Sequence, residues 1–139
     1  MKRLFLACLL SLLSAFGIYA SEPDVAGLVP DRTEHDFGDV KLGTTSRVRF
    51  NIKAQSAAVV ILSAATNCEC TKATYPKKPL RRGEEGAIEV SFEARETGYF
   101  CKTITVRYNA DGRERTLRLT VSGLSLIHIS EPTRHLRIS

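Results

Sequence analysis

The sharpest chemical feature of the sequence is a set of three cysteines, Cys68, Cys70 and Cys101. Residues i and i+2 of an extended strand face the same side about 6.6–6.8 Å apart, so Cys68 and Cys70 would present their thiols together. A disulfide wants Cα atoms about 5.5–6 Å apart, and bonding this pair therefore requires local distortion. Four states stay open from the sequence. The thiols are free and structural, or a disulfide joins Cys68 to Cys70 or one of them to Cys101. They hold a soft ion such as Cu(I) or Zn(II), with Cys101 as third ligand, or they do redox work. Redox catalysis lacks the Cys-X-X-Cys at a helix start that lowers a thiol pKa. A structural zinc site wants four ligands, and the fourth would have to be the distant His35. The metal state is left open, and no cofactor is expected.

Three other groups invite a chemical reading. His35-Asp36-Phe37-Gly38 pairs a histidine with a carboxylate, but neighbours on a strand point to opposite faces. The expected role is a strand start, with Phe37 anchored in the core and Gly38 making the bend. Lys77, Lys78, Arg81 and Arg82 form a basic loop between Pro76 and Gly83. It suits an anionic partner, but the preferred reading is a solvated turn shaped by Pro76, Pro79, Gly83 and Gly86 and partly balanced by Glu84 and Glu85. Glu89 and Glu93 belong to the outer face of one strand, and nothing marks them as a glycosidase pair. No catalytic residue is assigned.

These groups must be carried by strands. In residues 46–53, Val48, Phe50 and Ile52 alternate with Arg47, Arg49, Asn51 and Lys53, the pattern of a half-buried antiparallel strand. Residues 87–93 repeat it with Ile88, Val90 and Phe92 inside. Residues 100–108 place Ile104, Val106 and Tyr108 inside, and residues 115–121 do so with Leu117, Leu119 and Val121. Asn109-Ala-Asp-Gly112 between the last two is a turn tolerant of positive φ, so they read as a hairpin. Residues 58–63 are a continuous apolar run, expected to be a deeply buried strand. Residues 34–37 and a short strand near 70–74 bring the count to about seven. Seven short strands with turn signals at this spacing predict an all-β, immunoglobulin-like antiparallel sandwich. No helix is expected.

The two ends read differently from the middle. Met1-Lys2-Arg3, an apolar run from Leu4 to about Ile18 and the small-residue exit at Ala20 form a secretory signal peptide over residues 1–20. The run is about 15 residues, short of the roughly 20 of a membrane-spanning helix. Leu6-Ala7-Cys8 resembles the end of a lipobox, but too few apolar residues separate it from Arg3 for a working core of ~7–15 residues. Lipoprotein anchoring is therefore not expected, and cleavage removes Cys8. Residues 21–31 read as a linker and residues 32–123 as the domain.

At the other end, residues 124–135 resemble the translation of a transposon-based sequencing adapter. Alternation alone would make residues 124–129 an edge strand. The resemblance sets that aside, assigns residues 124–139 to an artefact, and removes His128 and His135 as metal ligands.

Composition bounds the function. Without Lys2, Arg3, Arg134, Arg137 and Glu131 the formal charge falls from +5 to about +2, which lacks the concentrated basic face of a nucleic-acid binder. About a hundred residues suit one domain. His35 is the one histidine left to that domain, and an odd number of cysteines after export leaves at least one thiol unpaired within the chain.

His35-Asp36-Phe37-Gly38-Asp39-Val40 followed by Gly43, then Asn67-Cys68-Glu69-Cys70-Thr71, Arg82-Gly83-Glu84 and Gly98-Tyr99-Phe100, carry a resemblance. Together they resemble the bacterial secreted domain-of-unknown-function family numbered fifteen seventy-three, related to hydin, ASH and major-sperm-protein-like sandwich domains. The family's usual Ser-Cys-Gly-Cys-Thr reads Asn-Cys-Glu-Cys-Thr here, and its Pro-Gly-Glu reads Arg82-Gly83-Glu84. Glu69 in place of glycine weakens any role that needs positive φ there. The resemblance implies a β-sandwich that binds other proteins and no settled activity.

The expectation is an exported periplasmic or extracellular module, not an enzyme, that binds an envelope or extracellular protein or a glycan. It meets the membrane only through its signal peptide and binds no nucleic acid. The alternative is a thiol-based metal carrier or redox protein using Cys68, Cys70 and Cys101.

Overall fold

Alternating apolar and polar residues leave each strand with one face that must be covered, and two sheets meet that need by covering each other. The computed structural model describes residues 27–127 in this arrangement. The expected signal peptide lies outside the described residues, as do His128 and His135. Nine strands run in order: β1 (Leu28–Pro30), β2 (Glu34–Lys41), β3 (Thr45–Ala54), β4 (Ala58–Thr66), β5 (Thr71–Thr74), β6 (Leu80–Arg81), β7 (Glu85–Glu93), β8 (Gly98–Ala110) and β9 (Arg113–Leu126). One sheet has the order β1-β3-β7-β5 and the other β2-β9-β8-β4-β6. The described residues contain no helix.

The core is the set the alternation picked out. Phe50, Ile52, Ile88, Val90, Ile104, Val106, Leu119 and Val121 are all at most 1% exposed. The β3–β7 register sets Val48 opposite Val90 and Phe50 opposite Ile88, which stacks one apolar row on the inner face. The β8–β9 hairpin closes at Asp111-Gly112, with Ala110 paired to Arg113. Both turn residues have positive φ, 51° and 80°, the requirement of a two-residue turn that matches strand twist.

Four expectations change. Leu28–Pro30, assigned to the linker, is strand β1 against β3, and Leu28 is buried; three residues are too few to display a period. Leu80–Arg81 is a second short strand inside the basic loop, so the described residues form nine strands rather than seven. Residues 58–63 are not buried on both faces: Val59 and Ile61 are inside while Leu62 is 46% exposed. Finally, β9 does not stop at Gly123. Leu124, Ser125 and Leu126 pair with Asp39, Val40 and Lys41 of β2, and Leu124 and Ser125 with Tyr99 and Gly98 of β8. Three alternating residues satisfy a ladder whatever their origin, because pairing uses main-chain groups.

β2 runs parallel to β9 and is the exception in an otherwise antiparallel set. Its register shifts between Asp36 and Asp39, where Gly38 takes a φ of 65° and donates its amide to Asp36 Oδ1 at 2.8 Å. The bend expected at Gly38 is this bulge.

Candidate functional site

Residues 67–70 connect the two sheets, and their geometry settles the state of two cysteines. The chain leaves β4 at Thr66 and turns back into β5. Thr71 donates its amide to the Cys68 carbonyl at 3.1 Å. The Thr66 hydroxyl bridges the turn, 3.1 Å from the Cys68 carbonyl and 2.8 Å from that of Thr71. The segment is therefore a turn and not the extended strand assumed from sequence. The Cα atoms of Cys68 and Cys70 lie 5.1 Å apart and their sulfurs form a disulfide. The Cys70 amide donates to Cys68 Sγ at 3.2 Å.

The disulfide is shielded on one side only. Cys70 is 8% exposed and packs with Val40, Phe92, Ala94 and Phe100. The rings of Phe92 and Phe100 stack at 3.9 Å, and Phe37 leans on Phe100 at 6.5 Å. Cys68 is half-buried and borders two hollows on the surface.

The larger hollow, about 600 Å³, runs from Cys68 across the Phe92 and Phe100 floor to residues 98–102 of β8. This part of β8 has a strand on one side only. β9 accompanies β8 throughout, down to Gly98 opposite Ser125, whereas β4 pairs with β8 only as far as Thr66 opposite Ile104. Residues 98–103 thus have no strand beyond them on this side, 98–102 along the groove, and among the described residues no backbone bond outside the β8–β9 ladder reaches them. β1 covers only residues 52–54 of β3, and β6 only residues 58–59 of β4, so β3 and β4 too have stretches with no strand beyond them. The outermost strands are blunted in the ways proteins use against uncontrolled pairing. β1 has three residues and ends in Pro30, β6 has two and β5 four, and β2 is bulged. Beyond β6, the Leu62 carbonyl of β4 accepts the Tyr75 hydroxyl at 3.0 Å.

Cys101 is a free, exposed thiol on this same edge and borders the groove. It is not bonded to Cys68 or Cys70, so of the states left open by the sequence the disulfide to Cys101 does not occur. Among the described residues no group of three His, Cys, Asp or Glu side chains is disposed to hold a metal ion. His35 lies edge-on to Phe37 with ring centroids 4.9 Å apart, while Asp36 turns to Gly38; the two do not work as a pair.

The basic loop is divided. Lys77 Nζ sits 3.8 Å over the Tyr75 ring, whereas Lys78, Arg81 and Arg82 border an open hollow with Ala58 and Glu84. Glu84 Oε2 accepts the Arg81 amide at 2.9 Å, so this carboxylate shapes the turn as well as balancing charge. Glu93 pairs with Arg95 at 2.9 Å.

Sequence reading missed a second basic surface. Arg47 and Arg49 of β3, Lys72 of β5 and Glu89 of β7 line a cleft of about 520 Å³ on the outer face of the four-stranded sheet. Its cations are brought together by strand order, which no local pattern shows.

The model of the family described as "Protein of unknown function (DUF1573)" matches residues 28–123. No curated protein matches the chain. Among solved structures, the ASH/PapD-like domain 7 of human CEP192 is 13% identical with a TM-score of 0.67, over 84% of this chain and 97% of that one. The VesB protease of Vibrio cholerae is 15% identical with a TM-score of 0.61, over 70% of this chain and 32% of that one, so the chain spans about a third of the protease. WR4, an MSP family member of C. elegans, is 11% identical with a TM-score of 0.50, over 73% of this chain and 99% of that one. At these identities the likeness is one of fold, and the fold is the Ig-like sandwich expected from the alternation.

Proposed function

The chain belongs to the DUF1573 family, and from that premise we propose that it is an exported, non-enzymatic binding module that holds an extended segment of a partner protein. The segment lies along residues 98–103 of β8 and extends the five-stranded sheet. The observation that carries this reading is the coincidence of an edge without a strand beyond it, residues 98–103, with a groove floored by Phe92 and Phe100. Strand addition takes its affinity from main-chain hydrogen bonds and its selectivity from pockets for alternate side chains. The Phe92 and Phe100 floor supplies an apolar pocket, and its rim mixes Arg95 and Lys102 with Glu69, Glu93 and Glu96, Arg95 being paired to Glu93.

Export rests on the order Lys2-Arg3, apolar run and small-residue exit at Ala20. A disulfide at Cys68–Cys70 suits the oxidising compartment that export would reach. Metal carriage finds less support, because a disulfide removes both thiolates that would bind the ion.

The test is a panned library of random ten-residue peptides, with amide exchange of the purified chain measured with and without the selected peptides. Bound peptide is expected to slow exchange within residues 98–103, and N-methylation of the peptide at alternate residues is expected to abolish binding. Peptides that tolerate N-methylation, or protection confined to the cleft at Arg47, Arg49 and Lys72, would remove the edge as the binding surface. Anionic glycan binding in that cleft would replace the reading.

A further inference from the structure

The geometry of the groove points to a chemical role for its disulfide: we infer that Cys68–Cys70 accepts a cysteine thiolate of the docked partner and joins it covalently at Cys68. The inference rests on the docking reading for delivery of the thiol. Three observations carry it. The two cysteines differ in access: both line the groove, but Cys70 is 8% exposed and packed with Phe92 and Phe100, while Cys68 is half-buried and also borders a second hollow. Each sulfur has a polar neighbour able to support charge: the Cys70 amide donates to Cys68 Sγ at 3.2 Å, and the Thr71 hydroxyl lies 3.7 Å from Cys70 Sγ. The free edge of β8 runs along the same groove, so a segment held there passes the disulfide.

Exchange proceeds by attack of a thiolate on one sulfur with departure of the other. The incoming thiolate forms a bond to Cys68 Sγ, the Cys68–Cys70 bond breaks, and Cys70 leaves with the electron pair and takes a proton from water. One disulfide is consumed and one formed, so no external oxidant or reductant is needed. The freed Cys70 thiol stays packed with Phe92 and Phe100 at the groove, positioned to reverse the step and release the partner. The capture is stoichiometric and reversible, in keeping with a binding module rather than a catalyst.

The test uses the purified chain with Cys8→Ser and Cys101→Ser, so that the disulfide is the one reactive sulfur pair. It is mixed with an edge-binding peptide carrying a single cysteine, quenched in acid and mapped by mass. The expected product is one peptide on Cys68, at least tenfold over Cys70; equal labelling of both, or no adduct where a short Cys-Glu-Cys disulfide peptide exchanges, overturns the inference. Because the Cys70 thiol can reverse the adduct, a second measurement starts from single thiols. In the same background, Cys70→Ser exposes Cys68 and Cys68→Ser leaves Cys70. The peptide, activated as its mixed disulfide with nitrothiobenzoate, is expected to react with Cys68 at least tenfold faster than with Cys70. Its N-methylated form is expected to lose that advantage. If the N-methylated form reacts as fast at Cys68 as the parent, docking fails while the asymmetry of the sulfurs stands. If the parent binds the edge yet reacts with neither thiol preferentially, the thiol inference alone falls.

Discussion

Gly123 of β9 lies directly beneath the ring of Phe100 of β8, its register partner, and a Cβ there would meet Phe100 Cζ at 2.7 Å and the Gly38 carbonyl oxygen at 2.8 Å. The Phe100 ring fills the space a side chain at 123 would take, and so reaches Phe92 and forms the groove floor. The absence of a side chain on one strand thus positions an aromatic at the candidate site.

Gly123→Ala is accordingly expected to destabilise the fold by about 2 kcal/mol, the usual scale for overpacking a filled core. The measurement is a urea midpoint at unchanged slope. Phe100→Leu in the same chain should recover part of the loss, because it withdraws the ring but not the Gly38 carbonyl. Full additivity of the two substitutions would show that the contact is not the cause.

The β8–β9 turn gives a case where strain acts without crowding. Gly112 has a φ of 80° and nothing within 4 Å of a built Cβ, so Gly112→Ala costs only the left-handed conformation, about 1–2 kcal/mol. Asp111→Gly at φ 51° relieves a smaller strain and is expected to be near neutral. A thermal melt reads the difference as a drop of roughly 4–8 °C per kcal/mol for a domain of this size. A larger effect at Asp111 than at Gly112 would contradict the turn assignment.

Much of the fold was legible because its signal is local. Val48, Phe50 and Ile52, or Leu119 and Val121, reveal the face they bury by spacing alone. Leu28–Pro30 and Leu80–Arg81 did not, since two or three residues carry no period. Leu62 misled because an apolar run hides which of its members faces water. At the site, the error lay in assuming extended backbone through Cys68 and Cys70, where Thr66 instead braces a turn. The free edge of β8 depends on where β4 departs, and the basic cleft on β3, β7 and β5 lying side by side. Both follow from strand order, which is a non-local property.

The disulfide itself closes a very short loop. Cross-linking residues two apart restricts the unfolded chain little, and the chain-entropy relation gives roughly 1.5 kcal/mol for so small a ring. Cys68→Ala with Cys70→Ala is therefore expected to leave a folded, cooperative domain with a modestly lowered urea midpoint. Amide exchange in β3, β7 and β9 should stay within an order of magnitude of the parent. Unfolding of the double variant would make the bond a structural staple and take away the freedom that reversible exchange requires.

Ser125 supplies the last prediction. It is 1% exposed and its hydroxyl has no hydrogen-bond partner, although it is paired with Gly98 on the inner face of the sheet. A buried hydroxyl without a partner forfeits its hydration and gains nothing in return, at a cost of about 1–3 kcal/mol. Most internal positions of β8 and β9 carry apolar residues, so this one breaks the rule that the rest of the hairpin obeys. Ser125→Ala removes the hydroxyl without adding volume and is expected to stabilise the chain by about 1 kcal/mol, read as a raised urea midpoint with the slope unchanged. A loss of stability on Ser125→Ala would mean that the hydroxyl is satisfied in solution.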